Sequence, residues 1–189
     1  MDEPGGSGGG FVARVSRRGA VRWTERLHPW IYRSDVVDAP GQQAGAVDVV
    51  DERGQPFGSA LWSPVSTIAL RMLTHEPRAI DAAFWRERIH EAVAYRAELN
   101  PDADAYRIVH AEADGVPSLI VDRYADWLVV EFLSAGIELY RDEICDTLIE
   151  LLQPWVDAGL DYTIVFFADG GHTTEGMELF AREVMPAFS

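Results

Sequence analysis

Short extended runs separated by turn residues fill the first third of the chain, and they constrain its fold more than any other feature. Apolar residues alternate in Phe11–Val15, and strand-like runs recur at 46–50, 57–62 and 67–73. In the connection Asp51-Glu52-Arg53-Gly54, glycine supplies the backbone freedom that a tight turn needs. Many short strands within about 65 residues favour a small β-barrel over an open sheet.

The segment Ala13–Arg33 is the most basic part of this region. It holds six arginines against one acid, a local charge of +5 in a chain whose net charge is −15. Arginines that can bind phosphates, beside aromatic rings that can stack on bases, are typical of an RNA-contacting surface. The alternative is an edge strand that its arginines keep soluble. The candidate RNA-binding residues are Arg17, Arg18, Arg22, Arg26, His28, Trp30 and Arg33.

Within this segment the sequence predicts a hairpin. Ser16-Arg17-Arg18-Gly19 is interpreted as its turn, and Val21 and Trp23 alternate across Arg22 as in a strand. His28-Pro29 then interrupts the ladder, because proline has no N–H to donate.

Helices and strands mix in the second part of the chain. A helix is predicted after Asp81, a good N-cap, with an apolar stripe of Phe84, Ile89, Ala92, Val93 and Ala97. Strands are expected at 106–111, 118–124 and 127–133, and a second helix spans 138–152 and ends before Pro154. A last strand at 162–167, a glycine loop and a helix near 174–185 complete the chain.

Composition excludes several classes of protein. Apolar residues make up 48% of the 189 residues, so a packed core is expected. No apolar run approaches the roughly 20 residues that span a bilayer, and the acidic, glycine-rich N-terminus is not a secretory signal. We therefore predict a soluble cytoplasmic protein with a flexible leader at 1–10. All 16 basic residues are arginine, which removes lysine Schiff-base chemistry.

Candidate catalytic and cofactor residues are few. Cys145, the single cysteine, lies between acids that would raise its pKa, so a structural role is predicted. The strand, glycine turn and helix around Ala168–His172 have the local order of a nucleotide loop, but no second strand follows to hold a ribose. No histidines stand at metal-ligand spacing. Turn chemistry and solubility account for the acids Glu112, Asp114, Asp122 and Asp126. We expect no catalytic, cofactor-binding or metal-binding residue.

Two passages carry a family resemblance. They are RLHPWIYRSDV at Arg26–Val36, followed by VDVVDERGQPFGSALWSPVSTIALRMLT at Val47–Thr74, and YRIVHAEADGVPSLIVDRYADWLVVEFLSAGIE at Tyr106–Glu138. Together they resemble the N-terminal half of class I SAM-dependent large-subunit rRNA methyltransferases that modify cytosine carbon-5. The resemblance covers about residues 11–155. It implies an RNA-binding PUA barrel and a middle α+β domain, with ribosomal RNA as partner and SAM as cofactor of the full-length enzymes.

The resemblance stops near Trp155. Neither the SAM loop nor the catalytic cysteine of the family follows, and Gly159–Phe188 is instead similar to the C-terminal end of luciferase-like flavin monooxygenases. A gene fusion, a frameshift and an assembly artefact each remain open as origins of this tail. The chain is therefore expected to lack its own SAM site, and its status as an enzyme is left open.

These observations predict an α+β protein: a PUA-like β-barrel at 11–75, a mixed α+β domain at 76–155 and a strand–helix tail at 156–189. The expected function is docking of rRNA for a cytosine-5 methyltransferase whose catalytic domain is missing from this chain. One alternative is an inert or scaffolding fusion product that does not bind RNA. Another is a methyltransferase with a degenerate SAM loop at 163–176. Oligomeric state is left open.

Overall fold

The computed structural model describes residues 11–99, 103, 105–124, 127–157 and 164–166, with side chains up to Leu151. The chain divides into two compact units, Met1–Ala79 and Ile80–Ser189. Within the described ranges, no helix has the length and apolar character that crossing a membrane requires.

A curled six-stranded sheet forms the first unit. Its strands are β1 (Val12–Val15), β2 (Trp30–Tyr32), β3 (Val36–Asp38), β4 (Gly45–Val50), β5 (Pro56–Trp62) and β6 (Ile68–Met72), and helix α1 (Arg17–Thr24) follows β1. The strand order is β2-β6-β5-β4-β1-β3. β1 pairs in parallel with β4, whereas the other pairs are antiparallel. The strands predicted at 46–50, 57–62 and 67–73 are confirmed to within two residues.

The core of this unit takes side chains from five of its strands. Val15, Ile31, Val49, Trp62 and Leu70 are almost fully buried there. Each such side chain contributes about 1.5–3 kcal/mol on leaving water. Alternation of buried and partly exposed residues along β4 fixes its register, because a slip of one residue would turn its core residues to solvent.

The hairpin predicted in the basic segment is wrong, since residues 17–24 form α1. Ser16 is the N-cap, and its side chain accepts a hydrogen bond of 3.3 Å from the Gly19 amide. Glu52 adds a second acceptor at this end of the helix, 3.2 Å from the Arg17 amide. The edge-strand interpretation is wrong for residues 17–24 for the same reason, whereas Trp30–Tyr32 of the same segment do form an edge strand, β2. Capping by Ser16 outweighed the short β-like alternation of Val21 with Trp23.

Gly19 lets α1 lie directly against the sheet. A Cβ at this buried position would lie 3.1 Å from the Asp35 Cβ, 3.2 Å from the Ile31 Cγ2 and 3.3 Å from the Val15 Cβ. These distances are shorter than most contacts of a Cβ, so a side chain here would have to displace its neighbours by a few tenths of an ångström. Glycine thus favours the close approach of the helix to Asp35.

The second unit contains a four-stranded sheet and three helices within its described residues. These elements are α2 (Ala82–Leu99), β7 (Ala105–His110), β8 (Leu119–Tyr124), β9 (Trp127–Phe132), α3 (Ala135–Glu138), α4 (Arg141–Asp157) and β10 (Ile164–Phe166). The order is β10-β9-β8-β7, with β10 parallel to β9 and the other pairs antiparallel. The three predicted strands from 106 to 133 are confirmed, with small shifts of their ends. The predicted last strand is confirmed over three residues.

The helices of this unit differ from the prediction in detail. Asp81 caps α2 as predicted, because its Oδ1 accepts a 3.0 Å hydrogen bond from the Phe84 amide. The buried face of α2 includes Trp85, whereas Ala97 of the predicted stripe is exposed. The predicted end before Pro154 is wrong, since α4 continues to Asp157. Proline removes one helical hydrogen bond and introduces a clash, but here it does not end the helix.

The glycine loop and the last helix of the predicted tail lie outside the described residues. The same holds for the flexible leader predicted at 1–10 and, apart from β10 at 164–166, for the segment 163–176 that was interpreted as a degenerate SAM loop.

Candidate nucleic-acid interface

Four arginines of the basic segment surround one cleft on α1. Arg17, Arg18, Arg22 and Arg26 line it together with Val21, and its volume is about 460 Å³. Side chains four positions apart are neighbours on a helix, so Arg18 and Arg22 lie on one face of α1, while Arg26 lies two residues beyond its end. Four arginines around a cleft that has no acid in its lining can bind a polyanion through charge-assisted hydrogen bonds.

A buried carboxylate stands behind this cleft. Asp35 is 1% exposed, and its Oδ1 lies 2.5 Å from the Arg18 Nε, while its Oδ2 lies 3.5 Å from the Arg22 Nε. The Ser16 hydroxyl donates to the same Oδ1 at 3.3 Å. Two of the four arginines are therefore attached to the protein through a single acid.

The other two cleft arginines are free of such attachments. Arg17 and Arg26 are exposed. Neither side chain has a hydrogen bond or an ion pair with any residue that the structure describes. Both guanidinium groups can therefore bind a ligand without first giving up a protein partner.

Aromatic rings lie beside α1, but they are already in contact with protein groups. The Arg22 Cζ lies 4.9 Å from the centroid of the Tyr32 ring. Trp23 and His75 are stacked, with centroids 4.0 Å apart and planes within 10° of each other. A nucleobase that stacks here would have to stack on the exposed His75 ring, because the face of the Trp23 ring is covered.

The remaining candidates from the sequence behave differently from the cleft residues. His28 is exposed, and its Nδ1 accepts a 3.2 Å hydrogen bond from the Trp30 amide. Its ring meets the Trp30 ring edge-on at 5.5 Å. Arg33 donates from its Nη2 to the carbonyl oxygens of Ser63 at 2.7 Å and Ser66 at 3.2 Å, and it stacks on Trp62. These contacts give Arg33 a structural role within its own unit.

Sequence reasoning missed Asp35, Ser16 and Val21. Arginines at 17, 18, 22 and 26 with Val21 between them follow helical rather than strand periodicity, and that signal was available. The serine directly before Arg17 was a second signal, because serine favours N-caps. No local pattern identifies Asp35, which reaches α1 only through the tertiary fold.

Two of the acids assigned to turn chemistry and solubility also form ion pairs, and Asp114 accepts a 2.6 Å hydrogen bond from the His110 amide in its turn as well. Asp114 forms a two-armed pair with Arg96, with distances of 2.9 and 2.8 Å, and Asp122 forms one with Arg107 at 2.7 and 2.8 Å. Neither carboxylate is therefore a free acid or base. Hydrogen bonding to Asp122 also raises the pKa of Arg107.

The described residues do not fit a SAM site. They include no glycine-rich turn between a strand and a long helix, the arrangement that places a nucleotide on backbone N–H groups. A second cleft, of about 630 Å³, is lined by residues of α2, among them Arg86, Glu87 and His90, together with Leu151. Within the same ranges, no cluster of three or more His, Cys, Asp or Glu residues could hold a metal ion.

Cys145 is half-buried, and its pKa is raised to about 12, mainly by burial and further by Asp142 and Asp146. A structural role is therefore still what we expect of this thiol, although burial raises its pKa more than the acids do.

At pH 8 the thiolate fraction of Cys145 would be about one in ten thousand, against roughly a quarter for a free thiol. We expect alkylation by iodoacetamide at pH 8 to be at least about 100-fold slower in the folded chain than in guanidinium chloride. Equal rates, measured by mass spectrometry, would contradict the burial of this thiol.

Comparisons with known proteins show which families this chain resembles. Residues 17–75 match the family model of a PUA-like domain. Ribosomal RNA large subunit methyltransferase I of Shewanella denitrificans is 40% identical over 136 residues, covering 69% of this chain and 34% of the relative. The protein of that name from Klebsiella pneumoniae is 34% identical over 146 residues, covering 75% and 36%. The chain thus spans about a third of the length of these relatives.

Solved structures support the fold. A Streptococcus mutans protein assigned as a SAM-dependent methyltransferase superposes with a TM-score of 0.70 at 12% identity, over 82% of this chain and 40% of that protein. At this identity the likeness concerns the fold alone. The predicted α+β class is confirmed, and residues 17–75 form a PUA-like domain in a chain whose relatives are ribosomal RNA large subunit methyltransferases I.

Proposed function

We propose that this chain is the RNA-binding, substrate-docking part of a SAM-dependent methyltransferase that modifies carbon-5 of a cytosine in ribosomal RNA. The observation that carries the proposal is the cleft of Arg17, Arg18, Arg22 and Arg26 on a PUA-like domain. The function proposed for the described residues is to hold RNA and not to transfer the methyl group. Its proposed location is the cytoplasm, where rRNA is modified in bacteria.

The distribution of charge favours contact through the first unit. Residues 1–79 carry nine arginines and nine acids, whereas residues 80–189 carry seven arginines and 22 acids. A polyanion is therefore repelled by the second unit and attracted only to a local patch of the first. We expect weak binding at physiological salt that falls steeply as salt rises.

Two candidate residues have supporting roles in this proposal. His28 and Trp30 follow the C-terminal end of α1, where Leu27 is 67% exposed and has a positive φ of 53°. A bulky residue in this backbone region is strained, and such strain is often found at binding sites. We propose that the exposed His28 contacts RNA and that Trp30 supports the His28 ring. Arg33 holds the loop at 63–66 through its hydrogen bonds to the Ser63 and Ser66 carbonyls.

The test removes the two cleft arginines that have no protein partner. In the full chain, Arg17→Ala with Arg26→Ala should weaken binding to a structured rRNA fragment by roughly tenfold to thirtyfold at about 0.1 M salt, since two phosphate contacts are lost. The slope of log affinity against log salt should flatten by about 1.4 if both contacts are to single-stranded RNA. Fluorescence anisotropy measures both quantities.

A matched control removes the same charge from the second unit. Arg86→Ala with Arg88→Ala replaces two arginines of α2, which form ion pairs with Glu150 and Glu91, and should leave the salt slope unchanged in a variant whose thermal midpoint shows that it is folded. An equal loss in both double variants would mean that net charge alone drives binding. Unchanged affinity in the Arg17/Arg26 variant would remove α1 from the proposal and favour the inert-fusion interpretation.

A further inference from the structure

Asp35 is a buried acid directly behind the most basic surface of the chain. A surface that only attracted phosphates would be better without it, because its charge opposes that of the cleft. Its carboxylate instead contacts two of the four cleft arginines through their Nε atoms. We infer that Asp35 is a positioning residue that fixes Arg18 and Arg22 for binding the phosphodiester backbone of RNA. This inference rests on the proposed function and specifies how the site recognises its ligand.

Arg18 is held at two points. Its Nε donates to Asp35 at 2.5 Å, and its Nη2 donates to the Ser34 hydroxyl at 3.2 Å. Two contacts to one planar guanidinium group fix both its position and the orientation of its plane. The Nη1 has no hydrogen bond among the described residues, and the side chain is 65% exposed. A phosphate oxygen can therefore approach an arginine that is already ordered.

Arg22 is held less tightly. Its Nε faces the Asp35 Oδ2 at 3.5 Å, and neither buried atom has a hydrogen-bond partner in the part of the chain that the structure describes. Contact with the Tyr32 ring at 4.9 Å supports the guanidinium from another side. Charge attraction and the ring face thus restrain Arg22 without a directional bond, so it can adjust to its ligand.

The carboxylate itself is fixed to α1 from both ends. The Asp35 carbonyl accepts a 2.8 Å hydrogen bond from the Ser16 amide, and the Ser16 hydroxyl donates to the carboxylate. Gly19 leaves no side chain between the helix and Asp35. Asp35 consequently moves with the N-terminus of α1, which is a rigid support for the arginines of the cleft.

Arginine side chains that are ordered before binding raise the affinity for RNA. Immobilising a flexible side chain on binding costs a factor of about two to ten in affinity for each side chain. Two arginines ordered in advance avoid this cost. Arg17 and Arg26, which have no such contact, supply charge but still have to be ordered by the ligand.

An Asp35→Asn variant separates positioning from simple electrostatics, because the two predict opposite signs. One negative charge fewer near the cleft should tighten binding about twofold to threefold. If Asp35 positions the arginines, the variant should instead bind RNA about tenfold more weakly, with an unchanged salt slope since the arginines keep their charge. Glu25→Gln is the charge-matched control, because Glu25 is exposed at the C-terminal end of α1. It should tighten binding about twofold.

Two further measurements guard against a folding artefact. The thermal midpoint shows whether Asp35→Asn is folded, and Ser34→Ala perturbs the second contact of Arg18 at an exposed position without a change of charge. Ser34→Ala should weaken RNA binding about twofold. In a chain that also carries Arg18→Ala and Arg22→Ala, Asp35→Asn should no longer weaken binding and should instead tighten it about twofold to threefold, because only the effect of its charge remains.

The outcomes distinguish this inference from the proposed function. If the unaltered chain does not bind the rRNA fragment, the proposed function fails, and the positioning role fails with it. If the unaltered chain binds and Asp35→Asn binds as tightly or more tightly, only the positioning role is overturned. If Asp35→Asn does not fold, unchanged affinity in Ser34→Ala overturns it.

Discussion

The Gly58→Ala chain is expected to lose about 4 kcal/mol of unfolding free energy, enough to leave the first unit largely unfolded at moderate temperature. A Cβ at this position would lie 2.0 Å from the Thr74 carbonyl oxygen and 2.9 Å from the Met72 Cε. The first contact is with backbone, which cannot rotate away. The φ of 149° adds strain of its own for any residue with a side chain.

Hydrogen bonds also prevent the Thr74 backbone from moving away from residue 58. Its Oγ1 accepts a 2.9 Å hydrogen bond from the Ser59 amide, and its own amide donates to the Ser59 carbonyl at 3.3 Å. The Leu73 amide donates to that same carbonyl at 2.8 Å. Relieving the clash would break this set of bonds between β5 and the end of β6. We therefore expect a lower urea midpoint and not merely a local shift.

Gly41→Ala is the matched control for this prediction. Gly41 also has a positive φ, of 117°, but a Cβ there would meet no atom within 4 Å. Its replacement introduces backbone strain without a clash and should cost about 1–2 kcal/mol. Urea denaturation followed by tryptophan fluorescence compares the two variants. Similar midpoints would show that the close approach of Thr74 to Gly58 does not limit stability.

Gly58 illustrates which part of the fold could be predicted. The strand around it was identified from its apolar residues, because β-propensity and burial act on the strand itself. The need for glycine could not be inferred, because it depends on Thr74, which reaches Gly58 only when β5 and β6 are paired. Sequence patterns reflect interactions between residues that are close together in the chain. They do not show which residues far apart in the chain come into contact in the fold.

The same distinction applies to the candidate interface. Arg17, Arg18, Arg22 and Arg26 were recognised from composition, and the structure brings all four to one cleft. Their secondary structure was predicted wrongly, since a short alternation was preferred to the N-cap signal of Ser16. Arg33 entered the same set because charge alone does not reveal that its guanidinium is bound by carbonyl groups.

In the second unit, Asp114→Asn should have the largest effect among the ion pairs, a loss of about 3 kcal/mol in unfolding free energy. Asp114 and Arg96 have side chains only 11% and 12% exposed, and two hydrogen bonds join them. The Asp114 Oδ2 also accepts a 2.6 Å hydrogen bond from the His110 amide. An asparagine keeps the shape but leaves the Arg96 cation poorly solvated and without a countercharge.

A comparable variant at the other two-armed pair provides the control. Arg107 is 41% exposed, so water solvates its cation when Asp122→Asn removes the partner, and the expected loss is about 1 kcal/mol. Adding Arg96→Met to Asp114→Asn removes the orphaned charge and should recover about 1–2 kcal/mol. Chemical denaturation of the four chains measures these differences. A loss at Asp122 as large as that at Asp114, or no recovery with Arg96→Met, would show that hydrogen bonds to the backbone, and not the buried cation, account for the stability of the Asp114 turn.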